Sequence, residues 1–534
     1  MRFGPAADRR NAADRAHRGD LEGALGVIPA FDTGPRRGAG RRLAALSAVL
    51  GPGLVVMAAD NDAGGISTYA QAGQDYGVRI AWLVVVLVPV LFVCQEMAAR
   101  LGAVTGAGHA RLITARFGRR WGGFALADLL ALNLLTLVTE FVGISLALGY
   151  FGISRLVSVP VAAGFLIAVT ASGSFRGWER AMYVLIAASL AAVPLAVIAW
   201  AHRGPEAASA VTGTAHGGAV FLAVALVGTT VAPWQLFFQQ SNVVDKRITT
   251  RFLGYERADT ALGTVVLAVG ALGVLLACGF AFGPAGLHGA FSDAAAVARG
   301  LRTQAGGAAG TLFAVVLGAG SVLGASAVTL ATSYAVGDFF GLRHSLHRRW
   351  REARTFHRTY AACVLAAAAV VLIPQVPLGL LTTAVQALAG ILLPSATVFL
   401  LLLCNDREVL GPLVNPRWLN VLASTVIGAL LALSALLTVT TIIPRIPLAA
   451  AVTGLVVATA VLAACATLIA IRARPAPAPG PADRRTWTMP PIESLRPPTR
   501  SGWRTLGLVV LRCYLLAAII VLAVRAIQIA LGAG

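Results

Sequence analysis

Two short polar stretches interrupt long apolar segments of this 534-residue chain and carry the side chains best suited to chemistry. Residues 60–65 read Asp-Asn-Asp-Ala-Gly-Gly, and residues 229–234 read Thr-Thr-Val-Ala-Pro-Trp. In hydrocarbon every backbone N–H and C=O needs a partner, so irregular backbone at membrane depth persists only inside protein or beside a cavity. Carbonyls and helix ends freed at such breaks can coordinate an ion, an arrangement typical of secondary transporters.

The composition requires a membrane environment. Hydrophobic residues make up 57% of the chain and charged residues 12%, which leaves too little polar surface for a soluble globule. Further apolar stretches are long enough to cross a bilayer core. The sequence predicts twelve spans, at 43–74, 78–104, 122–150, 156–173, 181–201, 217–241, 260–283, 309–339, 358–376, 379–403, 416–441 and 447–472. Residues 505–531 are also apolar but contain Arg512 and Arg525, so they either span or lie at the interface, and spanning is favoured.

The placement of charge predicts the topology. A net charge of +20 could indicate a nucleic-acid partner, but the arginines cluster in alternate loops rather than on one soluble face. Such loops are cytoplasmic in membrane proteins. We therefore expect a multi-pass protein of the cell membrane with a cytoplasmic N-terminus, no nucleic-acid partner and no obligate protein partner.

Two segments outside the spans lack the pattern of a packed core. Residues 1–42 mix Arg, Asp, Ala and Gly without apolar periodicity and are interpreted as a disordered basic cytoplasmic leader. Residues 473–504 contain a Pro-Ala-Pro run and Arg-Pro-Pro, a composition that favours an extended cytoplasmic linker. We expect this linker to be a passive tether.

Several motifs resemble those of the NRAMP family of divalent-metal transporters. Around the first break the chain reads Gly-Pro-Gly at 51–53, Asp-Ala-Gly-Gly at 62–65 and Gln-Ala-Gly at 71–73, where the family break usually reads Asp-Pro-Gly-Asn. Other matches follow in family order. They are Gln95, residues 100–106, residues 140–143, residues 228–233, Gln386, Asp406 and residues 411–415.

The resemblance implies an all-α integral membrane protein of the LeuT-like (APC superfamily) fold, with two inverted five-helix repeats at 43–201 and 217–403 and two more spans at 416–472. Substrate would lie between broken helices 1 and 6, and one bundle would rock against the other. It also implies a set of metal-ligand positions. These are Asp62, the position of Gly65, the carbonyl of Thr229, the position of Ala232 and Gln386.

The chain departs from the family at two of these ligand positions. Gly65 stands where the family has Asn, and Ala232 stands where it has Met. A thioether favours transition metals over Mg²⁺ and Ca²⁺, so its absence removes the main discriminator against hard cations. The lost side chains predict a widened site, and Mg²⁺ commonly keeps several waters beside one or two carboxylates. The chain is therefore similar to the NRAMP-related magnesium transporters.

The residues that couple metal to protons in the family are also replaced. Trp234 stands at a His position and Leu137 at an Asp position, whereas Glu140 is present. A carboxyl group inside a membrane bundle is functional by default, although Glu140 could also be a hydrogen-bonded structural group. These replacements predict weak or absent proton coupling. Proton-coupled transport of Mn²⁺ or Fe²⁺ remains the alternative.

Asp60 and Gln235 are further candidates beside the breaks. A second carboxylate two residues from Asp62 would add affinity for a divalent ion, but Asp60 could equally cap the first half-helix or face a water-filled vestibule. Gln235 follows the second break directly and could bind the water shell of the ion. Gln239, one turn further, is more typical of hydrogen bonding between helices.

A different substrate class stays open, because the same architecture serves amino-acid and other organic-solute carriers. Their substrate carboxylate lies at a half-helix N-terminus, and an acidic side chain at that place disfavours an anionic substrate. The chain contains no His-x-x-x-His, Gly-x-Ser-x-Gly or Gly-x-x-x-x-Gly-Lys motif, so an enzyme is not expected. We expect no cofactor, and the divalent metal would be the transported substrate.

Overall fold

The computed structural model describes residues 19–32, 34, 36, 38–203, 218–283, 287, 291–373 and 378–442, with short pieces at 453–454, 457, 460–461, 464, 484, 487–495, 507–509 and 511–512. Within these residues, six helices are long and apolar enough to cross a membrane, or seven if one bent pair counts as a single span. The other described spans are broken or shorter helices. The predicted spans at 447–472 and 505–531 lie almost entirely outside the described residues.

The first span is built from three helices in series: α1 (Ala39–Val49), α2 (Pro52–Ala59) and α3 (Ala63–Tyr76). The chain bends by 50° between α1 and α2. Gly51 occupies this bend with φ +151°, and a Cβ there would overlap the carboxylate of Glu179. Only glycine fits both demands. The predicted break follows α2, where residues 60–62 leave the helical path before α3 begins.

The remaining described helices of the first repeat are two long spans joined by a short helix, a shorter apolar helix and a pair that forms one span. They are α4 (Ala81–Thr105), α5 (His109–Phe117), α6 (Arg119–Tyr150), α7 (Arg155–Ala171), α8 (Phe175–Ser189) and α9 (Ala192–Ala201). Pro89 and Pro160 lie inside α4 and α7, where each removes one backbone donor. The last two helices together form one apolar span, Phe175–Ala201.

The second repeat also begins with a broken helix, because α10 (Gly218–Thr230) and α11 (Pro233–Asp245) are separated at residues 231–232. Pro233 starts α11, a position where its missing N–H costs nothing. The helices that follow are α12 (Leu253–Phe282), α13 (Ala294–Ala305), α14 (Gly307–Phe340), α15 (Arg354–Leu372), α16 (Leu378–Cys404), α17 (Arg407–Leu410) and α18 (Arg417–Ile442). Helix α13 lies in a segment for which the sequence predicted only a loop.

The two broken spans lie at the centre of the bundle. Helix α12 packs along α2 and α3, and α14 packs along α6 and also contacts α11. Small residues allow this close approach: a Cβ at Gly324 of α14 would lie 2.8 Å from the Cβ of Asp62 and 3.0 Å from the carboxyl carbon of Glu140. Helix α14 therefore packs directly against the first break.

The prediction of a disordered leader over residues 1–42 is wrong for its second half. Strands β1 (Leu21–Gly23) and β2 (Gly26–Ile28) form an antiparallel hairpin that packs on α1. Leu21 and Ile28 are buried in the same cluster as Ala45 and Val49. Three-residue strands carry too little periodicity to be recognised, and their burial depends on α1, which itself begins four residues before the predicted span.

The prediction of a passive linker over residues 473–504 is also wrong in part. Residues 487–495 are described, and Trp487, Met489 and Ile492 pack against the main hydrophobic core. The N–H of Met489 donates to the carbonyl of Val104 at 3.2 Å. The Trp487 ring covers Gly411 so closely that no Cβ would fit there. A proline-rich composition does not exclude docking by the few apolar residues within it.

Candidate metal-binding site

The two helix breaks meet at Gly65, on the first turn of α3. A Cβ at this position would lie 2.7 Å from the carbonyl oxygen of Asp60, 3.0 Å from Oγ1 of Thr229 and 3.3 Å from Oδ1 of Asp62. Asp60, Asp62 and Thr229 are all at least 97% buried. Three oxygen atoms, two from the first broken span and one from the second, therefore surround one point inside the bundle.

This geometry corrects one expectation. The sequence predicted that the missing Asn side chain leaves a widened site, but the position of its Cβ is already crowded by oxygen atoms. The two helix ends lie close together, so no side-chain-sized space remains at Gly65. Spacing between elements that are far apart in sequence cannot be read from the sequence itself.

Two carboxyl groups lie at the N-terminus of α3. Asp62 is the N-cap residue, and its Oδ1 accepts a hydrogen bond from the N–H of Gly65 at 2.6 Å. Oε2 of Glu140, from α6, accepts from the N–H of Ala63 at 3.1 Å. The partial positive charge of the helix end favours anionic groups here. Cβ of Asp62 and the carboxyl group of Glu140 lie beside the same glycine of α14, so the two side chains are neighbours and a cation close to one acts on the other.

Asp60 links the two broken spans. Nε2 of Gln235, on α11, donates to Oδ1 of Asp60, and Nε2 of Gln95, on α4, donates to Oε1 of Gln235 at 2.9 Å. All three side chains are at least 99% buried. Asp60 is thus held by a side chain from across the site and does not face a vestibule. The sequence analysis matched Gln95 to the family but did not predict its contact with Gln235, which joins residues 140 positions apart.

Several buried oxygen atoms around the breaks have no hydrogen-bond partner among the described residues. They are Oδ2 of Asp60, Oδ1 of Asn61, Oγ1 of Thr229, Oε1 of Glu140 and Oε1 of Gln95. Buried acceptors are normally paired, and an unpaired one costs free energy. Because all five atoms are oxygens, a hard cation with its water shell is the kind of ligand that would satisfy them.

Asn61 is a second residue that sequence reasoning missed. Its Nδ2 donates to the carbonyl of Leu267 in α12 at 3.2 Å, which fixes the middle of the first break to the neighbouring span. In the described part of the chain, no three His, Cys, Asp or Glu residues form a cluster able to hold a metal. A site here would therefore depend on carbonyl, hydroxyl and amide oxygens beside its carboxylates.

The other predicted positions lie as follows. Ala232 is the N-cap residue of α11, is buried and has an extended backbone, and it brings no donor atom to the site. Trp234 and Leu137 are buried in the main hydrophobic core. Thr230 donates its hydroxyl proton to the carbonyl of Leu226 one turn earlier. Gln386 belongs to α16, but its side chain lies outside the described part of the structure.

Comparisons with known proteins identify relatives of the chain. A family profile described as "Natural resistance-associated macrophage protein-like" (Nramp) matches residues 53–440. The chain is 29% identical over 458 residues to a divalent metal cation transporter MntH of Verminephrobacter eiseniae, which covers 79% of this chain and 95% of the relative. An MntH of Burkholderia ambifaria is 26% identical over 446 residues, with 80% and 95% covered.

A solved structure shares the fold. The crystal structure of the Eremococcus coleocola manganese transporter, bound to an aromatic bis-isothiourea compound, superposes with a TM-score of 0.58 at 19% identity. The match covers 86% of this chain and 98% of the transporter. The predicted fold class, a LeuT-like bundle with two broken helices, is confirmed. The family profile matches well over half of the sequence, so the chain belongs to the Nramp family.

Proposed function

We propose that the protein is a secondary transporter that carries a divalent metal cation across the cell membrane by alternating access. The observation that carries this proposal is the convergence of Asp60, Asp62 and Thr229 oxygens at Gly65, between two interrupted helices. The MntH relatives are named divalent metal cation transporters and align over nearly their whole length. The metal is substrate, and the arginine-rich loops favour a cytoplasmic N-terminus.

The donor set favours a hard divalent cation, with Mg²⁺ as the leading candidate. Every candidate ligand atom at the breaks is an oxygen, and position 232 supplies a methyl group instead of a thioether. Soft ligands favour transition metals, whereas carboxylate, carbonyl and amide oxygens suit Mg²⁺, Ca²⁺ and Mn²⁺. Mg²⁺ dehydrates reluctantly and commonly binds through one or two carboxylates while it keeps part of its water shell, so its entry requires the crowded helix ends at Gly65 to move apart.

Weak or absent proton coupling is the second part of the proposal. Trp234 and Leu137 cannot carry a proton, and both are packed in the apolar core. Of the three coupling positions, Glu140 alone keeps a titratable side chain, and it is engaged with the first N–H of α3. A proton relay through the bundle would need titratable side chains at positions 137 and 234.

Two alternatives are distinguishable. The first is proton-coupled transport of Mn²⁺ or Fe²⁺; the relatives are named divalent metal cation transporters, and the solved structure is that of a manganese transporter. An organic-solute carrier of the same fold is disfavoured, because the N-terminus of α3 already faces the carboxyls of Asp62 and Glu140. A substrate carboxylate placed there would meet like charge.

Uptake into proteoliposomes tests the proposal. Wild-type protein is expected to take up Mg²⁺ faster than Mn²⁺ or Ca²⁺, with little change of internal pH. Asp62→Ala should abolish uptake, whereas Asp75→Ala, near the other end of α3, should leave it intact. Amino-acid uptake without metal uptake would overturn the proposal. Mn²⁺ uptake locked to internal acidification would select the proton-coupled alternative.

A further inference from the structure

A stripe of polar side chains runs along one face of α11, from the first break toward the C-terminal end of the helix. Gln235, Gln239, Asn242 and Lys246 are spaced by four, three and four residues, so they share one face of the helix. Each is at least 99% buried. The stripe begins where Gln235 contacts Asp60 and ends just beyond α11, where Nζ of Lys246 lies 2.6 Å from Oε1 of Glu179.

Glu256, on the first turn of α12, faces the middle of this stripe. Its Oε1 accepts a hydrogen bond from Nε2 of Gln239 at 2.9 Å, and Thr260 lies one turn further along α12, with its hydroxyl 3.5 Å from the same nitrogen. The other carboxylate oxygen, Oε2, is buried without a hydrogen-bond partner in the described part of the chain. The same is true of Oε1 of Gln239 and of both polar atoms of Asn242.

The other charged groups of this region are already engaged. Lys246 pairs with Glu179 and also donates to the carbonyl of Leu50. The carboxylate of Asp259 accepts from three backbone N–H groups at the start of α2, at 2.7 to 3.2 Å. Glu256 therefore differs from its acidic neighbours, because one of its oxygens faces no described donor.

We propose that Glu256, Gln239 and Asn242 form a second cation site, at which the transported metal stops between the central breaks and the cytoplasm. The ligand is a partly hydrated divalent cation. The unpaired atoms of Glu256 and Gln239 are both oxygens, and the amide of Asn242 can supply a third oxygen. This inference rests on the proposed function, because it adds a second binding site for the same transported metal. One carboxylate with neutral amides binds weakly enough to release the ion, as a stop on a path requires.

The cytoplasmic end of the stripe is closed in this conformation. The N–H of Ala24, in the turn of the hairpin, donates to Oε2 of Glu179, and Lys246 bridges Glu179 to the junction between α1 and α2. Release from the inner site requires these contacts to separate. The hairpin and the ion pair therefore lie between the second site and the cytoplasm.

Counting bound ions tests the inner site without relying on transport. Equilibrium dialysis of purified full-length protein with Mn²⁺ as the probe is expected to give two ions per chain. Glu256→Gln keeps an acceptor for Gln239 but removes the charge, so it should bind one ion, as should Asp62→Ala. The double variant should bind none. Glu352→Gln, an exposed charge removal, is the control and should bind two.

The outcomes separate the two proposals. If Glu256→Gln binds two ions, or if wild type binds a single ion that Asp62→Ala abolishes, the inner site is overturned and the proposed function stands. If Asp62→Ala binds as many ions as wild type, the proposed function fails. Asn242→Leu covers the case in which Glu256→Gln does not fold, because it removes an unpaired amide at nearly constant volume. It should also weaken the binding of one of the two ions.

Discussion

The two helix breaks differ in what they contribute. The first spans residues 60–62, contains two carboxylates and is fixed by side-chain contacts with α4, α6, α11 and α12, directly or through Gln235. The second spans residues 231–232 and contains no charged atom, and the helix that follows it, α11, begins with Pro233. In the proposed site, one break would supply the attraction for a cation. The other would supply only Thr229 and backbone, at the place where the family resemblance implies a thioether.

This contrast predicts that the metal selectivity of the proposed site can change while the scaffold around it is kept. The contact from Gln235 to Asp60 involves none of the replaced positions, whereas the N–H that Ala63 donates to Glu140 is available because Ala stands where the family motif has Pro. Removing a side chain from position 232 therefore changes the donor set and leaves the position of Asp62 unaffected. The predictions below test this separation between charge and selectivity.

The largest expected effect comes from returning a thioether to the second break. Ala232→Met should shift the ratio of Mn²⁺ to Mg²⁺ uptake about tenfold or more toward Mn²⁺, because sulfur favours transition metals. Ala232→Leu is the matched control, since it adds similar volume without a ligand atom. Competition between the two ions in proteoliposomes measures the ratio. Equal shifts in both variants would mean that volume, not sulfur, sets selectivity.

A smaller effect is expected from cutting the link between the breaks. Gln235→Leu leaves Asp60 without its buried donor, and losing a hydrogen bond to a charged group costs about 1.5–3 kcal/mol. Metal uptake should show a KM raised about tenfold. Gln240→Leu removes a buried amide that bonds His109 and Ala107 on another face of α11, and it should leave KM unchanged. If both variants change KM equally, Asp60 has no special role.

The smallest effect tests whether space exists at Gly65. Gly65→Ala should lower the free energy of unfolding by about 1–3 kcal/mol, because its Cβ would lie 2.7 Å from a backbone carbonyl. Gly164→Ala, in α7, meets no atom within 4 Å and should be neutral or stabilising by about 0.5–1 kcal/mol. Thermal unfolding in detergent compares them. A neutral Gly65→Ala would show that the break has room for a side chain.

Sequence alone predicted the elements whose signal is local. The first break was predictable because Asp, Asn and Gly interrupt an apolar run, and the second because Pro233 follows polar Thr229 and Thr230. The hairpin at residues 21–28 was not, because its burial depends on α1. The docking of residues 487–495 was not, because three apolar side chains decide it against a proline-rich background.

The residues of the candidate site also separate into those that could be predicted from the sequence and those whose contacts could not. Asp60 and Gln235 were predicted from their neighbours in sequence and Asp62 from the resemblance to the NRAMP family, and the structure brings all three to the breaks. The contacts of Gln95 and Asn61 join residues 140 and 206 positions apart, so no local pattern reports them. The crowding at Gly65 was predicted wrongly for the same reason. Distances between helices follow from packing along their whole length.

The most direct test of the central claim is metal binding by Asp62→Asn. Asparagine caps a helix about as well as aspartate, so this variant keeps the N-cap hydrogen bond to Gly65 and removes only the charge. Titration of the purified protein with Mg²⁺ and Mn²⁺ should show that the tight site is lost while the thermal stability without metal is unchanged. Wild-type affinity in Asp62→Asn would contradict the account.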